Sequence, residues 1–113
     1  MSGPGEAGAP AHRYCVEIFL PLAGADGVPH PRQRFEALKA RLVDRFGGLT
    51  AFTRTPAEGL WAEGSGVDRD QVVIFEVMTE SLDPDWWAGL RCDLQDAFRQ
   101  QEVVIRGHEI RRL

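Results

Sequence analysis

The 113-residue sequence predicts one α+β domain whose elements follow the order β-α-β-β-α-β. Three observations carry that prediction. The runs RYCVEIFLPL (13–22), QVVIFEVM (71–78) and EVVIRGHEI (102–110) are strand-sized and rich in β-branched and aromatic residues. Two other segments repeat apolar residues at intervals of three and four, Phe35, Leu38, Leu42 and Phe46 in the first, Trp87, Leu90, Leu94 and Phe98 in the second. Glycine and proline punctuate the boundaries between them.

Residues 1–12 (MSGPGEAGAPAH) have no apolar period and cannot repay the entropy of ordering, so a flexible tail is expected before a single domain over 13–113. The first strand starts at Arg13 and ends at Pro21. AGADGVPHP (23–31) is turn chemistry, and Pro31 suits the first turn of a helix, where its missing N–H has no bond to lose. That helix ends at Gly47 and Gly48. LTAFTRT (49–55) reads as a second strand, broken by Pro56 and Gly59 before Trp61. Proline cannot donate to a ladder and glycine permits a bend, which together describe an edge strand guarded against aggregation. Asp83 and Pro84 open the second helix, the aspartate accepting from free N–H groups. Trp87 belongs to its core stripe, and Trp86 at the margin caps that core.

The order is two split βαβ halves, the ferredoxin-like arrangement, with a four-stranded antiparallel sheet and both helices on one face. Right-handed crossovers make the first and third strands central and the second and fourth the edges. A sheet wetted on one side should alternate apolar and polar residues. Here Tyr14, Val16, Ile18 and Leu20 form one side of the first strand, and Cys15, Glu17 and Phe19 the other. In the third strand Val73, Phe75 and Val77 oppose Val72, Ile74, Glu76 and Met78. Each central strand therefore keeps a mostly apolar second face that carries one glutamate. Such a face left in water is adhesive, and the economical cover is the same face of a second subunit.

Domains of this order that pair face to face form dimeric α+β barrels, a superfamily that includes small isomerases and cofactor-independent monooxygenases. Over residues 13–112 the chain resembles that superfamily in topology, and FGGLTAFTRTPAEGLW (46–61) looks like a signature of small uncharacterised bacterial proteins of the same layout. The resemblance implies a homodimer and supplies no catalytic residues.

Glu17 and Glu76 are the first candidates for chemistry. Antiparallel pairing of the central strands sets them opposite or on a diagonal, where both cannot stay charged cheaply. A raised pKa on one of them would suit a general acid or base. The competing reading pairs each with an arginine and involves no chemistry. Arg106 and His108 share a face of the fourth strand with Val104, beside Glu17. Arg54 depends on the register of the second strand. An arginine on the covered face would clamp a carboxylate ligand. His108 would serve as a proton shuttle, or simply as a surface residue. Trp61 is a candidate pocket wall, or part of a dimer core.

A net charge of −4 disfavours a phosphate-tracking surface, so no nucleic-acid partner is expected. An RNA-recognition module would need surface aromatics where the third strand offers Ile74, Glu76 and Met78. The apolar runs are far shorter than a bilayer span, and the amino terminus lacks the pattern of a secretory signal, giving a cytoplasmic expectation. Cys15 and Cys92 have no metal-site spacing and read as ordinary reduced thiols. No cofactor or metal is implied. Two functions remain open: a homodimeric module that binds a small ligand or serves structure, and a small cofactor-independent enzyme in which Glu17 or Glu76 moves a proton.

Overall fold

The computed structural model describes residues 13–54 and 71–113. The predicted tail, Pro56, Gly59 and Trp61 lie outside the described residues. The elements are β1 (Tyr14–Pro21), α1 (Arg32–Phe46), β2 (Thr50–Arg54), β3 (Val72–Thr79), α2 (Pro84–Ala97) and β4 (Val104–Glu109). The four strands make one antiparallel sheet in the order β2-β3-β1-β4, so the fold is the ferredoxin-like α+β arrangement with β1 and β3 at its centre.

Local chemistry explains where the elements begin and end. After β1 the chain folds back on itself, Ala23 bridging Pro29, with Gly27 at φ 81°. The Asp26 carboxylate accepts from the Val28 N–H at 2.9 Å inside that turn. Pro31 stands at the N-cap of α1, one position ahead of the first helical residue, and the helix has no side-chain cap there. Gly47 closes α1 in the left-handed conformation at φ 85°, its N–H reaching the Val43 carbonyl at 2.8 Å. α2 starts as its sequence predicts. The Asp83 carboxylate accepts from the Trp86 N–H at 3.2 Å, and Pro84 follows just inside. α2 ends less conventionally. Gln100 donates to the Gln95 carbonyl at 2.9 Å and Arg99 to that of Asp96 at 3.3 Å, a reversal that puts Arg99 at φ 53°, where glycine is usual.

The core lies between the helices and one face of the sheet. Val16, Ile18 and Leu20 of β1, Phe75 and Val77 of β3, Leu38 and Leu42 of α1, and Trp87, Leu90 and Leu94 of α2 form one buried cluster with Phe98 and Val103. Both apolar stripes thus meet the same side of the sheet, and an Arg41–Asp93 ion pair at 2.9 Å joins the helices above it. Trp86 packs at the rim of this core, edge-on to Trp87 at 4.8 Å and to Phe46 at 5.3 Å. The Arg45 guanidinium lies 4.6 Å from its ring. No helix among the described residues is long and apolar enough to cross a membrane.

Candidate functional site on the helix-free face

The opposite face of the sheet is striped, because strand pairing aligns like with like in successive rows. Phe52, Ile74, Phe19 and Val104 stand opposite one another across all four strands. The next row is polar from edge to edge: Thr50, Glu76, Glu17 and Arg106. Beyond it come Met78, Cys15 and His108.

Glu17 and Glu76 are directly opposed, the closest of the two placements their strands allow. Their surroundings differ. The Arg106 Nε donates to Glu17 Oε1 at 2.9 Å, with Glu17 only 16% exposed and Arg106 61%. The same guanidinium lies 4.8 Å from the Phe19 ring, so it is held by a charge below and a ring face beside it. Glu76 is half-buried and forms no ion pair among the described residues. Its carboxylate lies near the Cys15 thiol, which stands one row along on the neighbouring strand. Burial, then the charge and hydrogen-bonding capacity of Glu76, push the Cys15 pKa up to about 11, with Glu17 adding in the same direction. Both causes favour the protonated thiol over the thiolate.

A cavity of about 290 Å³ opens beside Glu76, lined also by Phe46, Gly47, Gly48, Thr50, Met78 and Arg112. A larger hollow of about 700 Å³ lies between the end of α1 and the start of α2, around Trp86. Its arginines are already engaged, Arg41 with Asp93 and Arg45 with Asp83 at 3.4 Å, which makes it a capped rim of the core.

The structure brings together three of the residues singled out in the sequence: Glu17, Glu76 and Arg106. His108 is exposed on the same face, one row along and opposite Cys15. Arg54 ends β2 opposite Val72, four positions along β3 from Glu76, or about 13 Å at the rise of a strand. Thr50, Cys15 and Arg112 join the site without having been candidates. Cys15 already shared the face of Glu17 in the alternation of β1, and register alone made it a neighbour of Glu76. Arg112 follows the last strand and carries no periodic signal.

No protein-family model and no curated protein matches the chain. Two solved structures resemble it. One is a phage SAM lyase in complex with S-methyl-5'-thioadenosine, 16% identical, with a TM-score of 0.57 over 87% of this chain and 81% of that one. The other is a phage SAM lyase in the apo state, 14% identical, with a TM-score of 0.53 over 89% and 83% of the two chains. At these identities the likeness is one of fold.

Proposed function

We propose that the chain is a homodimer that binds a small organic ligand on the helix-free face of its sheet, at Glu76. One observation carries the ligand half of this reading. Glu76 is a half-buried carboxylate in the wall of a cavity and, among the described residues, has no arginine paired with it as Glu17 has. A carboxylate in a cavity wall with no ion pair of its own is available to a cationic group of a ligand. The dimer half rests on the exposed apolar residues on either side of the polar row. Phe52, Met78 and Val104 are 42%, 40% and 48% exposed, and apposing two such faces about a two-fold axis removes them from water.

The test has two arms. Sedimentation equilibrium should give a dimer that Phe52→Glu converts to a folded monomer. A wild-type chain that stays monomeric at micromolar concentration ends the dimer claim. Thermal shift against a panel of small aromatic acids, aliphatic acids and amines should find a stabilising compound whose effect Glu76→Gln abolishes. An identical shift in the variant removes Glu76 from the site.

The second reading is a cofactor-independent enzyme in which Glu17 or Glu76 moves a proton. Its support is the directly opposed carboxylate pair, together with a fold shared with phage SAM lyases. Incubation with SAM, followed by chromatography for S-methyl-5'-thioadenosine, tests the version of this reading that the fold neighbours suggest. Product formation lost in Glu76→Gln supports it, and absence of product in the wild-type chain excludes it.

A further inference from the structure

The cavity beside Glu76 has opposite charges in its walls. Glu76 contributes a carboxylate, Arg112 lines the same 290 Å³ space, and no ion pair joins the two. Arg112 is exposed and has no hydrogen-bond or ion-pair partner among the described residues. Between these charges the walls are Phe46, Leu49, Val77 and Met78, with Thr50 as a hydroxyl. Glycines form the remaining side. A Cβ added at Gly47 or Gly48 would meet nothing within 4 Å, so the loop backbone leaves the space open.

Resting on the ligand site proposed above, we propose that its ligand class is an α-amino acid with an apolar side chain, or a molecule ending in that group. The ammonium faces Glu76, the carboxylate faces Arg112, and the side chain lies on Phe46 and Met78. An anion alone would satisfy Arg112 and be repelled by Glu76, and an amine alone the reverse. Only a zwitterion meets both charges, each through a charge-assisted hydrogen bond of about 2.7–2.9 Å. The volume is at the small end of ligand pockets, which suits a ligand of amino-acid size.

Three probes of matched shape separate the contributions: L-leucine, isopentylamine, which lacks its carboxylate, and isocaproate, which lacks its ammonium. Isothermal titration and thermal shift on the full chain should rank L-leucine above both fragments. Glu76→Gln and Arg112→Ala should each weaken leucine about tenfold, the loss expected for one charged hydrogen bond. In Glu76→Gln, leucine should fall to the level of isocaproate. Gly48→Leu is a control for bulk at the cavity wall, because Gly48 lines the space, needs no left-handed backbone, and a Cβ there meets no neighbour within 4 Å. It should abolish leucine binding while leaving the unliganded melting temperature unchanged. Leucine binding no tighter than isopentylamine overturns the inference but leaves the ligand site standing, since the amine still binds through Glu76, whereas leucine binding no tighter than isocaproate overturns the inference and the part given to Glu76 together. If none of the three probes binds, the amino-acid class is overturned, and the site itself is then judged by the wider acid and amine panel.

Discussion

On the helix-covered side of the sheet, Val16, Ile18, Leu20, Phe75 and Val77 are 2% exposed or less, whereas Phe52, Met78 and Val104 on the other side keep 40% or more of their surface. Both faces are built from similar residue types. What separates them is the partner: two helices in one case, no helix among the described residues in the other. The contrast is weakest at the centre, where Cys15 and Ile74 belong to the helix-free face yet are 4% and 2% exposed. Apolar residues that pack against helices stabilise the monomer. Those on the bare face add little until something covers them, so their presence in the sequence needs a reason beyond folding.

The largest test of this contrast pairs two phenylalanines on opposite faces. Phe75→Ala should destabilise the chain by about 3–5 kcal/mol in urea denaturation, the cost of a large cavity in a packed core. Phe52→Ala, at dilutions where the chain is monomeric, should cost less than about 1 kcal/mol, as exposed positions do. Equal costs would mean that the bare face is as tightly packed as the core.

A smaller effect belongs to Cys15. Its folded-state pKa is raised to about 11 from 9.0, so the fold favours the protonated thiol. The stabilisation is present in full below pH 9 and is lost as the pH climbs through 11. Chemical denaturation across that window should show a falling stability that Cys15→Ala flattens. Alkylation at pH 8 should modify the exposed Cys92 well before the buried Cys15. Reaction at equal rates would place Cys15 in solvent, against its burial beside Glu76.

The smallest effect should come from Arg106→Ala, about 0.2–1 kcal/mol, because one partner of its ion pair is largely exposed. A loss of several kcal/mol would show that the polar row is buried more deeply than the exposure of Arg106 implies, and would sharpen the case for a second subunit over it.

Much of this was legible in the chain. The stripe from Phe35 to Phe46 and the stripe from Trp87 to Phe98 each have one apolar side, and a helix with one apolar side has only one way to bury it. Asp83 with Pro84 and the Gly47–Gly48 pair mark helix ends because free N–H and C=O groups demand specific neighbours there. Alternation along β1 assigned Cys15, Glu17 and Phe19 to one face, since the pleat has a period of two. The site was less legible. Glu17 and Glu76 are 59 positions apart in the sequence, and a slip of two residues in register would have separated them without altering either strand's faces.

Local periodicity and punctuation are properties of short stretches of backbone, which is why the sequence by itself determined the order of elements, the helix-facing core and the character of the bare face. Tertiary structure alone decided which charges meet. Pairing between distant strands made Glu17 the partner of Arg106 and Glu76 the neighbour of Cys15, and the segment that follows β4 set Arg112 in the wall of the cavity beside Glu76. Those contacts depend on register and on a terminal segment outside any strand, and neither leaves a periodic trace in the order of residues.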